Sequence, residues 1–170
     1  DGQITNEDRY MSNKSPNPDF FYGVSLKLSY KNWDFGFNGH GTVGNYMFND
    51  VLRSGATAYY RDVIDKGYFV NTQVAGAKYG FKDASTTAQC LSDMFLEDAS
   101  FFRMDDINLG YTFRKVGQGN TQIRVAAGVQ NVFVLTKYSG LDPESSVAGG
   151  IDGNIYPRPR IYSVRLGINF

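Results

Sequence analysis

Apolar and polar positions alternate along five stretches of the chain. Tyr22, Val24, Leu26, Leu28 and Tyr30 fall on one side of a period of two, with Gly23, Ser25, Lys27 and Ser29 on the other. After Lys31-Asn32 the pattern resumes, setting Trp33, Phe35 and Phe37 against Asp34, Gly36, Asn38 and His40. Ile107, Leu109, Tyr111 and Phe113 oppose Asp106, Asn108, Gly110 and Thr112. Ile123, Val125, Ala127 and Val129 oppose Gln122, Arg124, Gly128 and Gln130. Tyr162, Val164, Leu166, Ile168 and Phe170 oppose Ser163, Arg165, Gly167 and Asn169. A period of two is the signature of a strand with one apolar face. The pattern predicts five antiparallel strands near 19–31, 32–43, 101–114, 120–134 and 159–170, paired in chain order.

The polar sides carry mostly Gly, Ser, Asn and Thr, with few of the long charged residues that a strand facing water usually shows. The apolar sides are uniformly large. A nine-residue strand tilted near 45° rises roughly 20 Å, close to the ~25 Å apolar band of an outer-membrane barrel. Tyr30, Trp33, Tyr111, Phe113 and Phe170 all fall at one edge of the predicted sheet, where an interfacial aromatic girdle belongs. Connections alternate short, long, short, long. The long ones cover 44–98 and 135–158, matching the short turns and long outer loops of such barrels. Within the first, Ala56–Lys66 and Ala84–Leu96 are candidate short helices. Tyr22, Leu26, Phe35, Leu109, Val125, Val164 and Leu166 are expected to face lipid. Ser25, Lys27, Asn38, Arg124 and Arg165 are expected to face the lumen. Five strands cannot close a barrel, whose smallest single-chain size is ~8. An all-β segment of a larger barrel is therefore the expected architecture.

Composition narrows the chemistry. The chain holds 17 basic and 17 acidic residues in 170, so no global field points to nucleic acid. Hydrophobic residues make up 42% and charged residues 20%, which excludes a disordered chain. Mean hydropathy is −0.35. That value is compatible with a barrel, where only alternate residues meet lipid. One cysteine, Cys90, excludes an internal disulfide, and one histidine, His40, excludes paired-histidine metal motifs. Cys90 reads as a small, partly buried residue and His40 as a polar-face side chain. No nucleophile and base stand at a recognisable spacing. Asp105 and Asp106 are expected to face opposite sides of a strand. The sequence reads as no enzyme.

Two further features carry alternatives. Asp1-Gly2-Gln3 and Asp8 match the second half of an oxygen-ligand calcium loop. Asp1 and Asp8 would supply carboxylates, Gly2 the turn, and Gln3 its carbonyl. A plain turn is the alternative, and no cofactor is required. Tyr59, Tyr60, Tyr68, Phe69, Tyr79 and Phe81 either stack on sugar rings or pack the loop. Pro157 and Pro159 fix an extended approach to the last strand.

Several stretches resemble SusC/RagA-type TonB-dependent outer-membrane transporters. They are Asp1–Asp8; Asn17–Gly23 with Ser29–Asp34; Glu97–Arg103 with Ile107–Phe113; Gln130–Phe133 with Thr136–Glu144; and Tyr156-Pro-Arg-Pro-Arg-Ile-Tyr162 running to Phe170. Residues 44–96 carry little of the likeness. The resemblance implies that the chain is the C-terminal part of a 22-stranded barrel with a separate plug, in the outer membrane of a Gram-negative bacterium. It implies import of oligosaccharides or peptides, with a SusD-like surface lipoprotein as lid and the TonB complex as drive. It also implies that Phe170 serves barrel assembly. A secreted carbohydrate-binding β-sandwich and a barrel without TonB coupling are the alternatives.

Overall fold

The computed structural model describes residues 7, 9–56, 92–114, 116–117, 120–144, 149–153 and 155–170. In chain order the elements are β1 (Phe20–Tyr30), β2 (Trp33–Val43), β3 (Tyr46–Phe48), α1 (Asp50–Ala56), a 3-10 turn (Asp93–Phe95), β4 (Leu96–Asp98), β5 (Phe101–Phe113), β6 (Gln122–Thr136) and β7 (Ile161–Asn169). They divide into two compact units.

One unit, made of Asp19–Val43, Ser100–Thr136 and Arg158–Phe170, is a single sheet in the order β1-β2-β5-β6-β7. Every pairing is antiparallel. The five strands expected from alternation are these five, and β6 runs on to Thr136. Register carries the sequence pattern across the sheet in rows. Leu28, Phe35, Leu109, Ala127 and Val164 form one apolar row, and Leu26, Phe37, Ile107, Val129 and Tyr162 the next. Between them on the other face run Lys27, Gly36, Asn108, Gly128 and Ser163. The apolar face is left exposed, with Val164 at 79% and Leu166 at 67%. A sheet that hid this face in its own unit would show the reverse.

A shift of register interrupts the rows. Asn38 faces Asp106, but Gly39 faces Met104, so Asp105 is an extra residue in β5. A second shift against β6 falls at the same place, beside Asn131, whose φ of 51° is left-handed. The bulge overturns the expectation that Asp105 and Asp106 face opposite sides. Asp105 meets the imidazole of His40 at 2.6 Å, and Asp106 accepts from Asn38 Nδ2 at 2.8 Å. His40 and Asn38 lie on the same polar face, so both carboxylates do. An inserted residue breaks the period of two and re-aims the side chains on either side of it. Without it, Arg103 and Asp105 would be in phase with Ile107 on the apolar side, and Met104 and Phe102 would be inverted.

Glycine permits the packing beyond the bulge. A Cβ on Gly41 would come within 2.5 Å of the Tyr22 ring. Tyr22 lies over that bare backbone, stacks on Phe102 with centroids 6.1 Å apart, and donates to the Phe101 carbonyl at 3.2 Å.

The other unit comprises Asp1–Pro18, Gly44–Ala99 and Lys137–Pro157. Residues 44–98 are the first of the two long connections expected from the sequence. Within the described residues its two ends pair, β3 with β4, Tyr46 facing Asp98 and Phe48 facing Leu96. Phe48 also donates to the Gly150 carbonyl at 2.7 Å and accepts from Asp152 at 3.0 Å. Three-residue strands give almost no periodic signal, which is why alternation missed them. The helix at this end is Asp50–Ala56, capped by Asn49 Oδ1 accepting from the Leu52 amide at 2.8 Å. It ends where the expected Ala56–Lys66 helix would begin, and 57–66 lie outside the described residues. Of Ala84–Leu96, the described part is the 3-10 turn with the residue before it and the first residue of β4. Asp1, Gln3, Asp8, Cys90 and the six loop aromatics also lie outside the described residues.

The packing around Gly41 yields a prediction. Replacing Gly41 with Val should displace Tyr22 and cost the assembled sheet about 1–3 kcal/mol by overpacking. The midpoint of the heat-modifiable band of the full-length protein should fall, while Gly167→Val, in β7 with open space around it and ordinary strand backbone, should move it less.

Candidate functional site

Polar side chains gather in two places, one in each unit. On the sheet they share the face opposite the apolar rows. Lys27 stands across from Gly36, and Arg165 across from Ala126, both leaving room for a long side chain. Ser25 donates to Asn38 Oδ1 at 2.6 Å, and Asn38 donates onward to Asp106. Asn108 Nδ2 donates to the other oxygen of Asp106 at 2.7 Å. This ladder spans β1, β2 and β5. Arg124 grips Asp34 with two donors, Nη2 at 2.5 Å and Nε at 3.2 Å. The fork lies over Gly110, where a Cβ would meet both groups at about 2.5 Å. Lys27, Asn38, Arg124 and Arg165 are thus brought to one face, as expected from phase alone.

Arg103 lies just before the bulge and is 2% exposed. Its Nη1 donates to Asn131 Oδ1 at 2.7 Å, and Asn131 Nδ2 donates to the Arg158 carbonyl at 2.5 Å. The left-handed Asn131 thereby ties β6 to the segment that enters β7. His40 and Asp105 form a half-exposed pair, with the imidazole set edge-on to Phe101 at 5.6 Å. The face as a whole offers forks, amides and hydroxyls at fixed spacing. Such an array can hydrogen-bond a polar solute or a polar protein surface. Among the described residues no three His, Cys, Asp or Glu side chains converge as a metal site would need.

The second gathering centres on Glu97. Its Oε1 accepts from Asn49 Nδ2 at 3.0 Å and from Ser139 Oγ at 2.7 Å, and its Oε2 accepts from the Ser139 amide at 2.7 Å. Beside it Tyr138 donates to Asp152 Oδ2 at 2.6 Å. Asp152 is 1% exposed, and Tyr138 packs on Met47 and Ala99. Burial pushes the Tyr138 phenol well above its ordinary value near 10; the bond to Asp152 and the charges of Asp152 and Glu97 push the same way. The phenol is therefore a fixed donor at neutral pH. In the same unit, Tyr10 donates to Asp93. Sequence reading missed this cluster, because its members come from a turn, a short strand and a loop with no shared period.

No protein-family model matches the chain. Over 99% of its length it is 36% identical to the TonB-dependent receptor SusC of Bacteroides thetaiotaomicron, covering 17% of that protein. It is 26% identical to the TonB-dependent receptor P3 of Formosa agariphila over 99% of the chain, covering 18% of it. Among solved structures, the RagAB peptide importer in its closed-closed state superposes on 98% of this chain and 20% of that one, with a TM-score of 0.67 at 23% identity. The open-open state gives 0.64 over 94% of this chain. The chain spans less than a fifth of the length of either curated relative.

The buried phenol generates a pH prediction. A tyrosine whose folded pKa is raised contributes stability fully present below its unfolded pKa, near 10, and lost as pH rises toward the folded value. Limited proteolysis within 137–157 of the full-length protein should therefore accelerate above about pH 10. Tyr138→Phe should accelerate it at neutral pH as well, through loss of a hydrogen bond to a charged group worth roughly 1.5–3 kcal/mol. In that variant the alkaline step attributable to residue 138 should vanish.

Proposed function

This chain is a segment of a SusC/RagA-type TonB-dependent receptor, and from that premise we propose that its sheet forms part of the wall of an outer-membrane importer. The observation that carries the reading is the sidedness of the five strands, joined to 36% identity with SusC along nearly the whole chain. The exposed apolar rows meet lipid. The opposite face, with Lys27, Asn38, Arg124 and Arg165, lines the lumen. The remaining strands and the plug come from sequence beyond this segment. Its two sheet edges need them, since an open edge in lipid leaves backbone groups unpaired at several kcal/mol each.

The imported solute is an oligosaccharide or a peptide. The likeness to SusC supports membership of this importer class, and the likeness to a peptide importer keeps peptides in view. A SusD-like lipoprotein covers the outer mouth, the TonB complex supplies the drive, and the host is a Gram-negative bacterium. The segment performs no catalysis in this reading. Phe170, at the end of the last apolar row, serves assembly of the barrel.

Uptake tests the whole reading. Cells lacking the full-length gene, or lacking TonB, should fail to accumulate labelled oligosaccharide or peptide that the parent takes up. Equal uptake in all three strains would exclude the importer role.

The facing assignment makes a separate prediction. Arg on the lipid face near the bilayer midplane costs ~2–4 kcal/mol. Leu26→Arg or Leu166→Arg in the full-length protein should sharply lower the heat-modifiable band in outer-membrane fractions, and Ser25→Arg should leave most of it. Equal losses would reverse or remove the assignment. Deleting Phe170 should reduce the same band.

A further inference from the structure

The apolar face is not uniformly filled. Near the edge that carries the short turns, an open cavity of about 450 Å³ indents it. Ala127 forms its floor, because a methyl group stands where the neighbouring rows carry larger side chains. Leu109 and Val125 form its sides, and Trp33, Tyr111 and Phe113 form its wall. Trp33 and Tyr111 meet edge to face at 4.7 Å, as do Tyr111 and Phe113. These contacts hold the wall rigid.

Charge stands at the end of this groove. Lys31 follows Tyr30 in the turn between β1 and β2, and its ammonium lies 5.2 Å from the centre of the Tyr30 ring, on the apolar-face side. Arg114 follows Phe113 directly, and its guanidinium donates to the Lys31 carbonyl at 3.4 Å. The two cations therefore share one rim, one and two residues from the aromatic wall. The turns 31–32 and 114–121 contain three basic residues and no acid. Asp34, the first acid along β2, points to the other face and is gripped by Arg124.

We propose that this groove binds one anionic phospholipid, its acyl chain along Ala127 and its phosphate between Lys31 and Arg114. The inference rests on the reading that the apolar face meets lipid, and goes beyond it by assigning a site and a headgroup charge. An acyl chain matches an open apolar groove that a rigid aromatic wall keeps from collapsing. A phosphodiester matches two cations at the level of an aromatic girdle, where headgroups lie. A zwitterionic headgroup brings its own cation to the same rim and loses that advantage.

Photolabelling tests it. The full-length receptor is reconstituted in phosphatidylcholine vesicles doped with a lipid carrying an acyl-chain diazirine, either phosphatidylglycerol or phosphatidylcholine. Labelled residues are mapped by mass spectrometry, with Val24 and Leu26 on β1, outside the groove lining, as the general lipid-face reference. The proposal expects groove labelling at Leu109, Tyr111 and Val125 to be on the order of tenfold higher with the anionic probe, normalised to the reference. Lys31→Gln with Arg114→Gln should abolish the preference, and Lys31→Arg with Arg114→Lys should keep it. The heat-modifiable band verifies folding of both. Equal groove labelling by the two probes overturns the proposal and leaves the lipid-facing reading standing. Reference labelling with none in the groove overturns it too, and assigns the groove to a protein contact. No labelling at groove or reference overturns the lipid-facing reading itself.

Discussion

The sheet is organised by the cost of placing a charge on its apolar face. In lipid that cost is ~2–4 kcal/mol for a single Lys or Arg near the midplane. Lys27, Asp34, Asp106, Arg124 and Arg165 all keep to the other side by simple phase. Arg103 and Asp105 would break the rule, because phase counted from Ile107 puts them in the apolar rows. The bulge at Asp105 corrects them. It also returns Phe102 and Met104 to the apolar face, where Tyr22 stacks on Phe102 over Gly41. One inserted residue thus re-sorts four side chains, and the left-handed turn at Asn131 is its counterpart in β6.

Keeping the charges on one face concentrates them there, and the face answers by pairing them. Asp34 with Arg124, Asp105 with His40, and Asp106 with two asparagines each bridge strands or brace neighbours along one. These contacts are half-exposed and individually modest. Their effect is positional: amides, hydroxyls and forks are held at set spacing along a wall. Such a wall can meet a hydrated solute without needing to rearrange. Lys27 and Arg165 stand opposite small residues, Gly36 and Ala126.

The other unit uses burial in place of periodicity. Its described strands, β3 and β4, are three residues long, and two short strands alone are marginal in water. Glu97 compensates by joining β4 to the cap of α1 and to Ser139, and a buried bond ties Tyr138, which packs on Met47 and Ala99, to Asp152. Ordered loops cost conformational entropy at every residue. The buried Tyr138–Asp152 bond and the more exposed bonds of Glu97 offset part of that cost and favour one arrangement.

Phase along the chain was enough to reveal five strands, their antiparallel order, the common face of Lys27, Asn38, Arg124 and Arg165, and the aromatic edge. Those features depend only on whether positions are odd or even, and a strand writes that directly into its residues. The stretches of resemblance added the family. The bulge was hidden, because an extra residue looks like any other until its partners across the sheet are known. So were the Asp34–Arg124 fork over Gly110 and the cluster around Glu97, whose members lie far apart in the chain. The groove beside Ala127 was hidden for the same reason: its depth is the difference between one small side chain and the larger ones that pairing sets around it. Interactions between residues distant in sequence have no period to read, and only register and packing bring them together.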